Sequence, residues 1–510
     1  MNASEARLSR QTLRQTWLAI AALVLVRLVS AAITPLSFDE AYYWTWAKHL
    51  AGGYYDHPPM VALVIRLGTM IAGDTEFGVR LISVLLALPM SWAVFEAAAM
   101  LFGGRRVAST AAILLNVTLM AAVGTMIVTP DAPLMVAASF VLYTLAKVLT
   151  TERGVWWLAV GLAVGVALLS KYTALFFGPA ILIWLVAVPR MRRWLLSPWP
   201  YLGGVVAFAV CAPVILWNAE HHWVSFIKQF GRARIEHLTL RYVAEIVPTQ
   251  ILFASPLVFV LGAMGLYAMA TKRGGAYVAR ALLNAFIWVI VLYFIWHSLH
   301  SRVEANWFSP IYPAFAIAAA VAAHVAKWGE RATRLVHFSL RWAAPVGIAM
   351  FALLVFQANT GLLSGYRRDA TVRSIGVGWH ELAAQIAAAQ RRTDAACVLA
   401  KDYGTTSWLM FYLPKGTCVL QYNERIRWVN MPAPDATALS GKLLFVDEPK
   451  PEVQTLLAER FARVEVVGEV VRKRGPLVVE TYRLTLLEGA KGDALDNSPP
   501  PEMSGKTSAE

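Results

Sequence analysis

The chain has 510 residues, of which 58% are hydrophobic and 15% are charged, and its formal net charge is +14. Soluble globular domains carry about 25% charged residues, so this composition excludes an ordinary soluble protein. The surplus Lys and Arg residues lie in short loops between apolar runs, which is typical of membrane topology. Because no basic stripe or nucleic-acid-binding motif accompanies the charge, the sequence indicates no nucleic-acid partner.

Apolar runs that are long enough to cross a bilayer recur along the first 360 residues. A membrane-spanning helix needs about 20 apolar residues. We therefore predict an α-helical polytopic membrane protein with about eleven transmembrane helices, at 16–34, 79–101, 107–127, 132–150, 154–170, 172–188, 199–218, 247–270, 281–299, 307–327 and 342–358. The first run lacks a convincing cleavage site, so we expect it to remain as a helix rather than to be removed as a signal peptide.

The positively charged loops predict the orientation. They fall on the same side as the N-terminus, at 103–106, 147–153, 189–193, 272–280 and 327–341. By the positive-inside rule that side is cytoplasmic. An odd number of spans then places the C-terminal region on the opposite, outer side.

After about Gly361 the composition becomes that of a soluble domain, with strand-like and helical segments in alternation. This pattern predicts a transmembrane bundle over 1–360, a small α/β domain over 361–488 and a disordered tail over 489–510. Cys397 and Cys418 both fall in the outer domain. A disulfide and two buried free thiols are both open for this pair.

The first outer loop, about 35–78, contains a dense polar cluster. Two of its segments, 40–51 and 58–72 within the range of about 39–72, are expected to form surface helices. Asp39 and Glu40 are adjacent, and Asp56 and His57 precede a diproline. A carboxylate held near apolar walls suits a general base, because its pKa can be tuned there. Alternatively, Asp39 only caps a helix that has Glu40 in its first turn. The combined pattern favours an active site.

Two further polar residues interrupt apolar segments on the same face. Asp131 begins the fourth span, where it could cap that helix, belong to the site, or do both. Lys171 interrupts a long apolar stretch at the outer face. An ionisable residue there is usually functional, and a basic group suits a phosphate. The alternative is a lysine that extends its ammonium to the membrane surface.

Two other outer loops carry charge. Arg302, Glu304 and Asn306 crowd a short loop, where Arg302 could grip a phosphate or pair with Glu304. The loop at about 219–246 could contact anionic lipid headgroups or belong to the same phosphate site. Its basic residues are His221, His222, Lys228, Arg232, Arg234 and Arg241.

Together these residues resemble the C-type, membrane-embedded glycosyltransferases that use polyprenyl-phosphate sugars. They are similar to glycosyltransferase family 39 and to the lipid A aminoarabinose and galacturonic acid transferases. Asp39 and Glu40 stand where that superfamily has an acidic pair, and Asp131 and Lys171 stand where it often has a second Asp and a basic residue. The segment 304–307 with 312–313 resembles a later outer loop of the bacterial members. The similarity covers roughly 15–330.

The diproline motif departs from one branch of the superfamily. His57 with the two prolines after it resembles a signature of protein O-mannosyltransferases, whereas the aminoarabinose transferases carry Lys before the diproline. The motifs are specific for the superfamily and not for one sugar or acceptor.

The resemblance implies a multi-pass glycosyltransferase of a bacterial inner membrane, with its active site and C-terminal domain facing the periplasm. The donor would be a polyprenyl-phosphate-linked sugar, and transfer would invert the anomeric carbon. The acceptor would be an envelope component: lipid A or lipopolysaccharide, another lipid, a polysaccharide or a protein. Membrane lipids are the other expected partners.

The resemblance also implies roles for individual residues. The expected catalytic residues are Asp39, as the base, with Glu40 and Asp131 shaping the acceptor side. Lys171 and Arg302, assisted by His57, would bind the donor phosphate. The expected substrate-binding residues are Tyr42, Tyr43, Tyr55, Asp56, Glu304 and Asn306. No metal-ligand spacing is visible, so we expect no cofactor, although the outer carboxylates leave a divalent ion open.

Other protein classes fit the sequence less well. A lipid-linked-sugar flippase or transporter would place polar residues through the membrane midplane, often in related halves. An O-antigen ligase-like enzyme would carry a large outer loop between late spans. A structural or receptor protein would have no use for costly ionisable groups at one face. The polar residues gather at one face and no internal repeat is visible, which favours the glycosyltransferase.

Overall fold

The computed structural model describes residues 3–231, 238–364, 369–475, 477–492 and 495. The described part of the first 360 residues is built from helices. The α-helices are α1 (Ala3–Ile33), α2 (Phe38–Lys48), α3 (Met60–Ala72), α4 (Glu76–Leu85), α5 (Ala87–Phe102), α6 (Arg105–Val117), α7 (Leu119–Met126), α8 (Asp131–Thr151), α9 (Trp156–Ser170), α10 (Phe177–Ala187), α11 (Pro198–Glu220), α12 (Val224–Gly231), α13 (Arg241–Ala254), α14 (Pro256–Ala270), α15 (Tyr277–Ser298), α16 (Tyr312–His324) and α17 (Glu330–Thr360). Three 3-10 helices join them, at Tyr172–Phe176, Pro189–Leu196 and Ala305–Ile311.

Seven helical segments of the described chain are long and apolar enough to cross a membrane. They are Gln11–Ile33, Glu76–Phe102, Asp131–Thr151, Pro198–Glu220, Tyr277–Ser298, Ala305–His324 and Glu330–Thr360. Three bent helix pairs raise the number to ten if each pair is one span. The prediction of a helical polytopic membrane protein is confirmed, with seven to ten spans in place of about eleven.

The difference in number comes from the run predicted at 154–170. It forms α9, which has 15 residues. At a rise of about 1.5 Å per residue such a helix is roughly 22 Å long, shorter than the hydrocarbon core of about 30 Å. The apolar run is helical as predicted, and only its length falls short of a membrane span.

The bent pairs have local causes. Between α6 and α7 the chain bends by 60° at Thr118, whose backbone is extended and whose side chain caps α7. Between α13 and α14 it bends by 109° at Ser255, which has a positive φ and precedes Pro256. Ser255 Oγ donates a hydrogen bond of 2.9 Å to the Val117 carbonyl, so the two breaks support one another. Free carbonyls at a break need such partners within a membrane.

The C-terminal region is a mixed α/β domain. Its α-helices are α18 (Ala370–Ser374), α19 (Trp379–Thr393), α20 (Tyr403–Tyr412), α21 (Ala436–Ser440) and α22 (Pro451–Arg460), with a 3-10 helix at Arg425–Trp428. Its strands are β1 (Cys397–Ala400), β2 (Cys418–Gln421), β3 (Leu443–Asp447), β4 (Phe461–Arg474) and β5 (Leu477–Ala490). The predicted α/β domain is therefore confirmed.

The five strands form one sheet in the order β2-β1-β3-β5-β4. β1 pairs in parallel with β2 and β3, whereas β5 pairs antiparallel with β3 and β4. Cys397 and Cys418 are partners in the β1–β2 register and form a disulfide. The alternative of two free thiols is thereby excluded. Most of the predicted tail, at 493–494 and 496–510, lies outside the described residues.

The C-terminal domain sits on the start of the first outer loop. The Leu36 carbonyl accepts hydrogen bonds from Gly376 N (2.7 Å) and from Trp408 Nε1 (3.0 Å). Leu36 N donates to Tyr412 Oη (3.0 Å). Helix α2 is thus buried beneath this domain rather than lying on an open membrane surface. The C-terminal domain therefore covers the polar first outer loop.

Candidate active site

A cavity of about 760 Å³ opens where the first outer loop, the beginning of α8 and the C-terminal domain meet. Its walls include nine of the residues expected at the site: Asp39, Tyr42, Tyr43, Asp56, His57, Asp131, Lys171, Glu304 and Asn306. Three others, Glu40, Tyr55 and Arg302, are absent from its walls. The structure therefore brings together residues from segments that are far apart in sequence.

Asp39 lies in the first turn of α2, with its carboxylate on the cavity wall. It does not cap the helix, because Ser37 does so by accepting a hydrogen bond from Glu40 N. Tyr403 donates a hydrogen bond of 3.1 Å to Asp39 Oδ1. Burial raises the pKa of Asp39 to about 6, with the nearby Asp56 and Glu40 adding to the effect and Tyr403 opposing it. A carboxylate with this pKa is a competent general base near neutral pH.

Glu40 is fully buried and faces away from the cavity. Arg80 donates to both of its oxygens, with Nε 2.7 Å from Oε1 and Nη2 2.6 Å from Oε2. The backbone N–H groups of Ser37 (2.9 Å) and Val128 (3.0 Å) donate to the same carboxylate. Glu40 therefore braces α2 against α4 and the chain before α8. These contacts are those of a positioning residue, and its catalytic role stays a prediction.

Asp131 and Lys171 form a buried ion pair on the cavity wall. Lys171 Nζ is 2.9 Å from both carboxylate oxygens. Asn306 Nδ2 donates to Oδ2 (2.7 Å), and Ser309 Oγ donates to Oδ1 (2.5 Å). Helix α8 has Pro130 as its N-cap without a side-chain cap, so Asp131 is not a cap. Lys171 is only 6% exposed and does not extend to the surface.

Asp56 joins three parts of the molecule. Its carboxylate accepts hydrogen bonds from Lys228 Nζ (2.6 Å), from Arg427 Nη1 (2.8 and 2.9 Å) and from Tyr42 Oη (2.9 Å). Gln229 Nε2 donates to its backbone carbonyl (2.7 Å). Burial tends to raise the pKa of Asp56, but Lys228 and Arg427 outweigh it and hold that pKa well below its usual range. Asp56 is therefore ionised and connects the first loop, α12 and the C-terminal domain.

His57 and Tyr55 flank Asp56 but face different surroundings. His57 lies on the cavity wall, directly before the diproline whose second member, Pro59, is the N-cap of α3. Tyr55 is buried behind the wall, where the Lys228 ammonium lies 4.1 Å from its ring centroid and the Arg427 guanidinium 5.4 Å. Tyr55 therefore supports the two cations of Asp56 through its ring face.

Arg302 is not brought to the cavity. Its side chain is 67% exposed and lies 3.6 Å from Glu245 and 4.0 Å from Glu304. The alternative in which Arg302 pairs with Glu304 fits this placement better than a phosphate contact does. In the second outer loop, Lys228 reaches the site through Asp56, whereas Arg232 and Arg234 lie outside the described residues.

Several wall residues were not singled out in the sequence. The first group is Tyr403 of the C-terminal domain, which touches Asp39. Arg427 of the same domain holds Asp56 but is not among the wall residues. The second group consists of polar and aromatic residues of the bundle: Tyr172, Gln229, Tyr293, His297 and Trp307. Only Tyr403 carried a positional signal, since it follows a buried strand, where ligand-binding residues of α/β sheets collect. Among the described residues no group of three His, Cys, Asp or Glu side chains is placed to hold a metal ion.

Fold and site together define a polytopic membrane protein with a cavity that holds a carboxylate of raised pKa, Asp39, and a buried Asp–Lys pair. The fold is that of ArnT from Cupriavidus metallidurans. The apo structure of that protein aligns with a TM-score of 0.65 at 17% identity, over 93% of this chain and 98% of that one. The structure with bound undecaprenyl phosphate aligns with a TM-score of 0.63 at 17% identity, over 95% and 99% of the two chains.

Sequence comparisons agree with this class. Residues 56–217 match the family model described as dolichyl-phosphate-mannose-protein mannosyltransferase. The chain is also similar to the lipid A galacturonosyltransferase RgtD of Rhizobium johnstonii, with 27% identity over 290 residues, or 56% of this chain and 60% of RgtD. The chain thus spans about three fifths of the length of that relative. The resemblance predicted from the outer-face residues is confirmed.

Proposed function

We propose that this protein is an integral-membrane glycosyltransferase that moves a sugar from a polyprenyl phosphate to an acceptor hydroxyl. The observation that carries the proposal is the placement of Asp39, with its pKa of about 6, on the wall of the cavity that also holds Lys171. A base and a buried cation in one cavity are what transfer from a phosphate donor requires. ArnT with bound undecaprenyl phosphate and the name of RgtD support the same class.

The donor side of the cavity is the Lys171 side. The Lys171 ammonium, held in place by Asp131, and the imidazole of His57 would face the phosphate of the donor. Apolar wall residues would accompany the first isoprene units of the lipid: Leu175, Phe176, Phe230 and Phe294. Since Asp131 offsets the charge of Lys171, the pair binds a phosphate through oriented hydrogen bonds more than through net charge.

The chemistry is a single displacement. The acceptor oxygen forms a bond to the anomeric carbon while the bond from that carbon to the phosphate oxygen breaks. The electron pair of the broken bond leaves on the phosphate, and the acceptor proton passes to Asp39. Attack from the face opposite the phosphate inverts the anomeric carbon. A cation positioned near the leaving oxygen lowers the barrier because negative charge develops there.

We infer a sugar hydroxyl of lipid A as the acceptor, on the periplasmic face of a bacterial inner membrane. The name of RgtD supports this acceptor. The distribution of Lys and Arg supports the orientation. The Cys397–Cys418 disulfide supports an oxidising compartment for the C-terminal domain, which contacts the first outer loop.

The test is reconstitution of the purified protein in liposomes with lipid A and a set of undecaprenyl-phosphate sugars, followed by mass spectrometry of donor and acceptor. We expect the wild-type protein to consume one donor and to add its sugar to lipid A. Asp39→Asn should lower the rate about 100- to 10,000-fold, because the base is lost. Asp435→Asn, at an exposed position of the C-terminal domain, is the matched control.

One outcome would contradict the proposal directly. If every donor stays intact with the wild-type protein while labelled lipid-linked sugar crosses the bilayer, the protein is a flippase. If the donor is consumed and lipid A stays unmodified, the transferase class stands and the lipid A acceptor is wrong.

A further inference from the structure

A second cavity, of about 600 Å³, lies in the C-terminal domain beside the first. It opens where the parallel strands end: Lys401 and Asp402 follow β1, Asn423 follows β2, and Asp447 closes β3. The strand order β2-β1-β3 sends the chain to opposite sides of β1. In open α/β sheets, ligands bind outside the carboxyl ends of the strands at such a point.

The two cavities share a wall. Phe38 and Tyr403 line both of them. Tyr403 also donates its hydroxyl hydrogen to Asp39, and Arg427, which lines the second cavity, holds Asp56 in the first. A molecule seated in the second cavity would therefore lie next to the side chain that contacts the proposed base.

Several donors and acceptors of the second cavity are not engaged elsewhere. Among the described residues, no partner bonds to the Lys401 ammonium, to the amide nitrogen of Asn423 or to the Oδ2 atom of Asp402. The cavity therefore offers two kinds of donor and a carboxylate oxygen to a ligand. Phe38 and Tyr403 add aromatic rings that are partly exposed.

The charges of the walls disfavour a strongly anionic ligand. The cavity is lined by five carboxylates, those of Asp402, Glu424, Asp447, Glu448 and Glu480, and by four cations, those of Arg373, Lys401, Arg427 and Lys450. Arg373 is paired with Glu448 (3.0 Å) and Glu480 (2.5 Å), and Arg427 with Glu424 (2.5 Å). A phosphate would meet more carboxylates than free cations. Sugar hydroxyls, which both donate and accept, match this mixture.

We propose that the second cavity binds the non-reacting sugar of a saccharide acceptor. The reacting hydroxyl, on the adjoining sugar, would then extend past Tyr403 into the first cavity and lie next to Asp39. This proposal rests on the proposed function and adds to it the class of acceptor and the place where it is held. It assigns to the C-terminal domain the recognition of uncharged sugar hydroxyls rather than of phosphates or lipid chains.

Lys401→Met and Asn423→Asp test the proposal, because no described partner bonds to the Lys401 ammonium and Asn423→Asp removes the amide nitrogen while it keeps the Oδ1 acceptor of Gln421 Nε2 (3.0 Å). With undecaprenyl-phosphate sugar as donor and lipid A as acceptor, each variant should raise the KM for lipid A, by about 10-fold for the loss of one or two hydrogen bonds. The KM for the donor and the slow hydrolysis of donor without acceptor should stay unchanged. Lys442→Met is the matched control, since Lys442 is exposed at the opposite end of the sheet, directly before β3.

A binding measurement separates this proposal from the proposed function. Calorimetric titration of Asp39→Asn protein with the deacylated glucosamine disaccharide should show binding that Lys401→Met weakens, and the disaccharide without phosphates should bind at least as well as its bisphosphate. An unchanged KM for lipid A in both variants, or binding of the bisphosphate alone, would overturn the second-cavity proposal. A wild-type protein that consumes no donor would overturn only the proposed function, because the titration does not depend on transfer.

Discussion

At the scale of single residues, Asp39 and Tyr403 form the contact on which the proposed chemistry depends most. Burial raises the pKa of Asp39 to about 6, and the Tyr403 hydroxyl opposes the rise because it donates to the ionised carboxylate. The group is therefore basic enough to take a proton and still mostly ionised at pH 7. Tyr403 comes from the C-terminal domain, so that domain helps to set the pKa of Asp39, the proposed base in the bundle.

We expect the kcat/KM of the wild-type protein to rise with pH through about 6, because Asp39 must lose its proton to act as a base. Tyr403→Phe should move this acidic limb to higher pH, because the ionised form loses a stabilising donor. The measurement is the pH dependence of transfer from an undecaprenyl-phosphate sugar. Tyr201→Phe, at an exposed tyrosine of α11, should leave the limb in place. A shift to lower pH in Tyr403→Phe would contradict the assignment.

A substitution of the neighbouring Glu40 tests whether this residue only positions α2 or acts as a second catalytic base. Glu40→Gln leaves the Arg80 guanidinium buried without a counter-charge, which should cost about 3–5 kcal/mol of stability. If Glu40 only positions α2, the acidic limb of the activity persists in the protein that remains folded. Thermal unfolding in detergent and the pH profile together check this. Glu330→Gln, at an exposed surface pair, should change neither.

At the scale of elements, close helix contacts set the geometry of the cavity. Helix α9 ends at Ser170, directly before Lys171, and packs against α11 through Gly161 and Gly203, where the backbones touch. A Cβ at Gly203 would collide with the Trp157 carbonyl, whereas a Cβ at Gly204 would meet nothing within 4 Å. Small residues allow such close approach in membranes, where packing drives association.

Gly203→Ala should therefore destabilise the protein by about 1–3 kcal/mol, as overpacking does, while Gly204→Ala should be neutral or slightly stabilising. Thermal unfolding of the two variants in the same detergent gives the comparison. Because Lys171 follows α9, Gly203→Ala should also raise the KM for the donor. Equal stability of the two variants would show that α9 and α11 are not packed as described.

At the scale of the whole molecule, Asp56 connects the C-terminal domain to the transmembrane bundle. Its cationic partners come from α12 and from the C-terminal domain, and both are largely buried. The folded-state pKa of Asp56 lies below its usual range, so the ion pairs contribute stability at pH values above the ordinary pKa of about 4. That contribution is lost as the pH falls through the folded-state pKa.

Arg427→Met should raise the pKa of Asp56, because among the described residues Lys228 then remains as the one Lys or Arg side chain that bonds to its carboxylate. We expect faster proteolysis of the C-terminal domain, and a stability that begins to decline at a less acidic pH than in the wild type. Limited proteolysis and thermal unfolding between pH 4 and 7 measure both effects. Arg463→Met, at an exposed pair on β4, should behave like the wild type.

The sequence by itself determined the helical elements of the bundle and most of the charged residues of the site. Each predicted apolar run is helical, because a run in lipid must satisfy its own backbone. The cluster around Asp39, Asp56 and Lys171 was visible because ionisable groups are costly next to a membrane. At α9 the prediction of a helix was right, and only the helix length differed from that of a membrane span.

Only the tertiary structure decided which polar residues face the cavity. Asp39 and Glu40 are neighbours in sequence, yet successive residues of a helix point about 100° apart, so one faces the cavity and the other faces Arg80. Tyr403 and Arg427 lie more than 350 residues beyond the acids they contact, and no local pattern announces such a contact. They reach the site because the C-terminal domain docks on the first outer loop.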